Sequence, residues 1–289
     1  MGLDDLALIG FGEAGMAFAG AWDAPVRAFD IKTDNPATAE AKRADYLSYG
    51  ARGTATLAEA LAGADLIISV VTADQALAAA EAAAACLKPG ALYCDFNSVA
   101  PDTKRAAAVV IEAAGGRYGD VAVMSPVHPA RLAVPLLVSG PHAGEAIAAL
   151  TAIGFSPERV EGPVGRASTI KMLRSVMVKG MEALTAECFL AAYEAGVVEE
   201  VAASLGKSWP GFDLKERADY NLERMLVHGL RRAAEMDEAA KTVAALTLDN
   251  AMTRACADKQ RDFGALGLKA PDGLAAKTDL IRARKANAA

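Results

Sequence analysis

The chain has 289 residues and a formal net charge of -6 at pH 7. This length is sufficient for two domains and a sizeable hydrophobic core. The excess of acidic side chains argues against a nucleic-acid partner, because such partners are bound by clustered Lys and Arg. A small-molecule partner fits this charge better. No apolar stretch approaches the length of a membrane span, so we expect no membrane contact.

Cysteine and histidine residues are few and widely spaced. The four cysteines form no Cys-x-x-Cys pair, and the three histidines lack the spacing that places two of them on one metal ion. The N-terminus carries Asp4 and Asp5 where a signal peptide would be basic. We therefore expect reduced thiols, no metal site and a cytoplasmic location.

The first predicted element is a short apolar strand that leads into a glycine-rich turn and a helix. Gly10 permits a tight turn, Gly12 leaves room for a pyrophosphate, and Gly15 allows close packing of helix and strand. The helix start supplies amide donors for phosphates. The predicted cofactor-binding residues of this turn are Gly10, Phe11, Gly12, Glu13, Ala14 and Gly15.

The second predicted strand, 26–30, ends in an acidic residue, Asp30. Asp30 follows Gly10 by 20 residues. At this spacing a carboxylate accepts hydrogen bonds from the adenosine ribose hydroxyls of a dinucleotide. Because the same carboxylate would repel a 2′-phosphate, the sequence favours NAD, although the nearby Lys32 keeps NADP as the second candidate.

Strands and helices continue to alternate up to about residue 160. Strands are predicted at 65–71, 91–95, 118–124, 134–139 and 155–160, and helices at 57–62, 74–87, 101–114 and 143–153. This order predicts an α/β fold with a Rossmann-type, doubly wound parallel sheet, whose ligands bind beyond the carboxyl ends of the strands. Thr72, Asn97, Ser98 and Ser125 lie at such ends and are predicted ligands, although Asn and Ser are also common turn formers and helix caps.

After residue 162 the pattern is almost wholly helical. Helices are predicted at 166–195, 198–205, 213–228, 231–247 and 249–262, and the tail from 269 is expected to fray or to drape over a neighbour. We therefore predict a dinucleotide-binding Rossmann domain at 1–162 and an all-helical substrate and dimerisation domain at 163–289. The long, broadly apolar first helix favours a homodimer or a larger homo-oligomer.

That first helix carries Lys171 and Ser175 one turn apart on one face. Taken alone, Lys171 reads as a surface lysine, because lysines are seldom buried. The polar segment 228–235, which contains Arg231 and Arg232, likewise reads as a solvated helical face.

Together these motifs resemble the β-hydroxyacid dehydrogenases, the family that includes 3-hydroxyisobutyrate and 6-phosphogluconate dehydrogenases. The glycine turn matches the family fingerprint, and the segments 95–101 and 120–126 are similar to its strand-end loop and its substrate segment. Residues 162–171 match Gly-x-x-Gly-x-Gly-x-x-x-Lys except for Ala167 in place of the last glycine. The resemblance covers nearly the whole chain, and the second half looks most like a little-characterised phosphogluconate-dehydrogenase-like branch.

The resemblance implies an NAD(P)-dependent oxidoreductase that acts on a small hydroxy acid, a sugar acid or its phosphate. It implies that Lys171 is the general acid/base on the substrate hydroxyl while hydride passes to the nicotinamide. The substrate-binding candidates are Ser98, Ser125, Ser175 and Arg232, with Arg174 and Arg231 as alternative ligands for a carboxylate.

Two departures from the family pattern support other functions. Ser175 stands where the family usually has Asn, and Met124 begins the stretch that replaces the Ser-Gly-Gly triplet of the substrate segment. These changes are compatible with a non-catalytic nicotinamide-binding protein. The imine reductases, which resemble this family, are a further alternative, but they generally lack the lysine found here at 171.

Overall fold

The computed structural model describes residues 2–211 and 213–286. The chain divides into two compact units, Met1–Met172 and Leu173–Ala289. The first unit contains the sheet and the second is helical, so the predicted order of an α/β Rossmann-type unit and an all-helical unit is confirmed. The division falls inside a long helix, whereas the predicted boundary at 162 lies in the loop before it.

Within the described residues the first unit contains one eight-stranded sheet. Its strands are β1 Leu6–Ile9, β2 Arg27–Phe29, β3 Arg52–Gly53, β4 Leu66–Ser69, β5 Leu92–Asp95, β6 Arg117–Val123, β7 Leu136–Ser139 and β8 Pro157–Arg159. They are ordered β3-β2-β1-β4-β5-β6-β7-β8. The strand order therefore reverses between β1 and β4, and in open α/β sheets ligands bind at the carboxyl ends of such neighbours.

The sheet is not parallel throughout, which corrects the prediction for its last two strands. Strands β1 to β6 are parallel, but β7 pairs antiparallel with β6, and β8 is parallel to β7. The link between β6 and β7 contains only a short 3-10 turn, Arg131–Ala133. An antiparallel neighbour needs no crossover helix, so this link is sufficient.

Six helices pack in the first unit, among the residues that the structure describes. They are α1 Glu13–Ala19, α2 Pro36–Ser48, α3 Leu57–Leu61, α4 Ala76–Ala84, α5 Pro101–Ala113 and α6 Ala143–Ala152. Helix α2 was not predicted. Its start carries a readable signal, because the Asn35 side chain accepts a hydrogen bond from the Ala37 amide and Pro36 occupies the first turn.

The core of this unit lies on both faces of the sheet. Leu6, Leu8 and Ile68 face one hydrophobic cluster, and Ala7 and Ile67 face the other. Because both faces are covered, the central strands read as continuous apolar runs without polar alternation. This burial explains why the strands were recognisable in the sequence.

The described part of the second unit contains the rest of a long helix and four further helices. They are α7 Arg166–Glu194, which begins in the first unit, α8 Val198–Ser208, α9 Leu214–Ala245, α10 Ala251–Ala265 and α11 Leu274–Ala286. The prediction of two helices at 213–228 and 231–247 was wrong, because α9 continues through Gly229. A Cβ atom at Gly229 would lie 2.4 Å from the Gln260 carbonyl oxygen, so the absence of a side chain permits close packing of α9 and α10.

The prediction that the tail frays was also wrong for the described residues. Residues 274–286 form α11, which packs on α9. Ile281 is buried in a cluster with Leu222, and the Lys277 Nζ lies 2.5 Å from the Asp219 Oδ1. Packing against α9 therefore stabilises a segment whose local sequence, with Pro271 and Gly273, indicated a loop.

Candidate cofactor and substrate site

The three glycines of the first turn occupy different environments. Gly10 has a φ of 90°, and a Cβ atom there would lie 2.6 Å from the Val70 carbonyl oxygen. A Cβ atom at Gly15 would lie 2.6 Å from the Gly10 carbonyl oxygen, so strand and helix pack closely here. At Gly12 a Cβ atom would meet no described heavy atom within 4 Å. This space is compatible with a phosphate approaching the backbone.

The peptide groups of Phe11, at the centre of this turn, are held on both sides. The Phe11 amide donates to the Asp30 Oδ2 at 2.7 Å, and the Lys42 Nζ donates to the Phe11 carbonyl oxygen at 2.7 Å. Lys42 is 6% exposed and also pairs with Asp45. Lys42 was not predicted, because α2, the helix that carries it, was not predicted.

Asp30 therefore helps to build the turn as well as being a predicted cofactor ligand. Its Oδ1 accepts from the Lys32 amide at 2.9 Å, so each carboxylate oxygen already has one partner. A carboxylate has about four lone-pair sites. Capacity thus remains on both oxygens for the ribose hydroxyls of a dinucleotide.

The residues predicted at the ends of β4 and β5 have different surroundings. Asn97 is buried, its Oδ1 accepts from the Val71 amide at 2.7 Å, and its Nδ2 donates to the Ser69 Oγ at 3.0 Å. Asn97 therefore joins the ends of the two strands. Thr72 is exposed. Hydrogen bonds from the Gln75 side chain and, to a smaller extent, from the Thr72 hydroxyl lower the pKa of Asp74.

The Ser98 Oγ is buried and has no hydrogen-bond partner among the described residues. A buried hydroxyl without a partner is costly, so such groups commonly meet a ligand or an ordered water. This orphaned oxygen lies just beyond β5, at the sheet edge where ligands of this fold bind. Ser98 is thus the predicted ligand whose hydrogen bonding is least satisfied within the protein.

A buried lysine joins the end of β5 to the middle of β6. The Lys104 side chain is 0% exposed, and its Nζ lies 3.0 Å from the Asp95 Oδ1 and 3.6 Å from the Asp120 Oδ1. The Tyr118 hydroxyl donates to the Asp95 Oδ2 at 2.6 Å. Burial, followed by the Asp95 charge, raises the pKa of Tyr118 well above its usual value. Nothing in the local sequence distinguishes Lys104 from a surface lysine of α5.

Asp120 holds the start of α7, the helix that carries Lys171. Its Oδ2 accepts from the Gly165 amide at 2.9 Å, and its Oδ1 accepts from the Ser168 hydroxyl at 2.6 Å. The Ser139 hydroxyl also donates to the Asp120 Oδ2 and accepts from the Ala167 amide. A carboxylate at a helix N-terminus satisfies unpaired amides and interacts favourably with the helix dipole.

The 120–126 segment, predicted to contact substrate, therefore divides into two parts. Asp120 is fully buried and serves α7, whereas Ser125 is exposed and its hydroxyl donates to the Pro126 carbonyl oxygen at 3.2 Å. Lys171 lies in the second turn of α7 and is half-buried. The anchoring of α7 on Asp120 fixes the position of Lys171 relative to the sheet of the first unit.

Two predicted substrate ligands, Ser175 and Arg232, lie in the second unit and are buried. The Arg232 Nε donates to the Glu182 Oε2 at 3.0 Å, and a second, shorter bond joins the same two side chains. The Gln260 Nε2 also donates to this carboxylate, at 2.9 Å. Arg232 would have to leave a buried ion pair to bind a substrate carboxylate, and its role as a ligand stays a prediction.

The described residues contain no group of three His, Cys, Asp or Glu side chains arranged to hold a metal ion. In the same part of the chain, no helix combines the length and apolar character needed to cross a membrane.

Family models match both parts of the chain. The model of the NAD binding domain of 6-phosphogluconate dehydrogenase matches residues 5–153, more than half of the chain. A model of a domain of unknown function, DUF1932, matches residues 192–263. The second match agrees with the predicted resemblance of the helical half to a little-characterised branch.

Several solved structures are similar along nearly the whole chain. A conserved hypothetical protein from Sinorhizobium meliloti is 37% identical, with 98% of this chain and 97% of that chain covered and a TM-score of 0.74. MTH1747, a conserved protein of unknown function described as structurally similar to 3-hydroxyacid dehydrogenases, is 29% identical over 90% of this chain and 96% of its own, with a TM-score of 0.68. A 3-hydroxyisobutyrate dehydrogenase from Mycobacterium tuberculosis shares the fold at 17% identity, covering 96% and 98% of the chains with a TM-score of 0.73.

The family match includes the glycine turn, Asp30 and the strand-end residues described above. The chain therefore belongs to the family of the 6-phosphogluconate dehydrogenase NAD-binding domain, and it is a hydroxyacid-dehydrogenase-like oxidoreductase.

Proposed function

We propose that this protein transfers a hydride between a nicotinamide cofactor and the hydroxyl-bearing carbon of a small hydroxy acid, sugar acid or sugar-acid phosphate. The observation that carries the proposal is the anchoring of α7 on Asp120 of β6, which ties the helix bearing Lys171 to the sheet of the dinucleotide-binding unit. A catalytic base must be held in place near the cofactor to act.

The residues at the glycine turn fit a dinucleotide. Gly12 has open space where a pyrophosphate would approach, and Asp30 retains lone pairs for the ribose hydroxyls. Ser98 has a buried hydroxyl that still needs a partner. The bound nicotinamide would supply hydride acceptance or donation. We propose NAD as the preferred cofactor, because the Asp30 carboxylate would repel the 2′-phosphate of NADP.

Lys171 is the proposed acid/base. In the oxidation direction its neutral amine takes the proton of the substrate hydroxyl while that carbon loses hydride, which leaves a carbonyl group. In the reduction direction the ammonium returns this proton to the carbonyl oxygen. The proposed substrate ligands are Ser98, Ser125 and Ser175, together with one of the arginines at 174, 231 and 232.

The experiment is cofactor reduction followed at 340 nm with a panel of 2- and 3-hydroxy acids, sugar acids and their phosphates. Each substrate is tested with NAD and with NADP, and imines are tested with the reduced cofactors. Lys171→Ala should lower kcat by about 10² to 10⁴, the usual contribution of general acid–base catalysis. Its cofactor affinity, measured by NADH fluorescence, should stay within about threefold.

The matched control is Lys207→Ala, which removes an exposed lysine from α8. It should turn over like the parent protein. Full activity of Lys171→Ala on the true substrate would disprove the assignment of the base. Cofactor binding without turnover of any compound in the panel would instead favour a non-catalytic, nicotinamide-binding role.

We also propose that the protein is a homodimer. Helix α7 carries an apolar stripe of Leu173, Met177, Met181 and Leu184, which are 40–67% exposed. Their spacing places them along one side of the helix, and exposed apolar surface of this kind is typical of an interface. Light scattering after size exclusion should show a dimer, and Met177→Glu with Met181→Glu should produce monomers. A monomeric parent protein would refute this proposal.

A further inference from the structure

The second unit contains a buried lysine that the proposed mechanism does not use. Lys179 follows Ser175 by one turn of α7 and is 5% exposed. Its Nζ lies 2.8 Å from the Glu235 Oε2 of α9 and 3.2 Å from the Ser175 Oγ. Removing a lysine from water is costly unless its charge is paired and its N–H groups are hydrogen-bonded, and these two contacts supply both.

The direction of the hydrogen bond to Ser175 follows from the chemistry of the donor. A lysine ammonium has three N–H donors and no acceptor, so the Ser175 oxygen must accept. The Glu235 carboxylate, whose Oε2 lies 2.8 Å from the Lys179 Nζ, holds the Lys179 side chain in place. A hydroxyl carries one proton of its own, and no described residue gives the Ser175 hydroxyl an acceptor for it.

We infer that the ion pair of the buried Lys179 with Glu235 is a positioning device that holds Ser175 as a hydrogen-bond donor toward the substrate. This inference rests on the proposed function, in which Ser175 contacts the substrate. A carboxylate, carbonyl or hydroxyl oxygen of the substrate can accept the Ser175 proton.

This arrangement also gives a physical role to the sequence departure at position 175. An Asn side chain offers both donor and acceptor groups, so it can be satisfied by either kind of ligand. Ser175 is shorter, and Lys179 occupies one of the two lone pairs of its oxygen. The pair therefore favours donation of the Ser175 proton to a substrate oxygen at this point.

The test is a double-mutant cycle with Ser175→Ala, Lys179→Met and the combined variant. It measures kcat, KM and the thermal midpoint on the hydroxy acid that is turned over fastest. Each single change should raise KM about tenfold, since a charge-assisted or well-placed hydrogen bond to substrate is lost. Because Lys179 acts through Ser175, the combined variant should also show about a tenfold rise and not a hundredfold one.

Two further variants separate positioning from folding. Lys179→Arg retains the charge for Glu235 and a donor for Ser175, so its KM should stay within about threefold of the parent value. Lys179→Met combined with Glu235→Gln removes both charges of the pair, so this variant tests the inference if the single change unfolds the protein. Lys277→Met is the matched control, because it breaks the pair of another buried lysine with a partly exposed carboxylate, Asp219, in the same unit. It should lower the thermal midpoint without raising KM.

The outcomes distinguish this inference from the proposed function. Turnover by the parent protein with additive effects of Ser175→Ala and Lys179→Met, or with no effect on KM, overturns the inference and leaves the dehydrogenase intact. Equal KM changes in Lys179→Met and Lys277→Met overturn it as well. Absence of both turnover and binding for every acid tested, measured by calorimetry with NAD present, overturns the proposed function and this inference together.

Discussion

In the first unit buried charges are bound by main-chain groups and hydroxyls as well as by opposite charges, whereas in the second unit they are paired mainly side chain to side chain. Asp120 accepts from the Gly165 amide and from the Ser139 and Ser168 hydroxyls, and Lys104 donates to the Asp95 carbonyl oxygen at 2.5 Å. In the second unit the contacts of Glu182 with Arg232 and of Lys179 with Glu235 join neighbouring helices directly.

The difference follows from where main-chain groups are unpaired. Strand ends and helix starts leave amides and carbonyls without partners, and these groups can stabilise a buried charge. In the middle of a helix the same groups are already bonded within the helix. A charge buried between helices must therefore find another side chain. The first arrangement couples several elements at once, and the second couples only two or three side chains.

The largest expected loss of stability comes from removing Lys104, the cation that Asp95 and Asp120 share in the first unit. Lys104→Met leaves Asp95 and Asp120 buried without their cation, which should cost about 3–5 kcal/mol in the free energy of unfolding. Urea denaturation measures this change. The control is Lys88→Met, whose ion pair with Asp65 is 38% and 43% exposed, and which should cost less than about 1 kcal/mol. Similar losses in the two variants would contradict the role given to Lys104.

A substitution in the second unit should cost less stability, and a second substitution should restore part of the loss. Arg232→Met leaves Glu182 buried with only the Gln260 amide as a described partner, and we expect a loss of about 3 kcal/mol. Adding Glu182→Gln removes the unpaired charge and should recover more than half of that loss. Failure of the second change to recover stability would show that this pair is coupled to more than its two neighbours.

The smallest expected effect concerns alkaline pH and the first unit. Burial raises the pKa of the Cys94 thiol from 9.0 to about 12. Below pH 9 the thiol is protonated in both the folded and unfolded states, so it has no effect on stability. Between pH 9 and 12 only the unfolded chain ionises, and stability should fall by about 1.4 kcal/mol per pH unit.

Cys94→Ala checks this pH dependence, because it removes that thiol from the titration. Tyr118 acts in the same direction above its ordinary pKa of 10.0, so part of the slope should remain in the variant. The measurement is urea denaturation at about pH 8.5 and about pH 10.5. Equal slopes for the variant and the parent protein would show that ionisation of Cys94 does not contribute.

The sequence by itself determined the features that depend on local spacing. Short stretches of sequence carry the signals for the glycine turn, for Asp30 and for the alternation of strands with helices. Each element needs particular residues at a fixed spacing, and apolar residues recur with a different period in strands and in helices. The same local logic predicted Ser98 as a ligand, and this stays a prediction; its buried hydroxyl has no described partner. The start of α2 was equally readable, in Asn35 and Pro36, but was overlooked.

Tertiary structure alone decided the features that depend on distant partners. The direction of β7 follows from its pairing with β6, α9 continues through Gly229 because α10 packs against it, and α11 forms because it packs on α9. Lys42, Lys104 and Lys179 look like ordinary surface lysines in the sequence. Each is buried because its partners come from another element of the fold, and the environment of a charge is a property of that assembled neighbourhood.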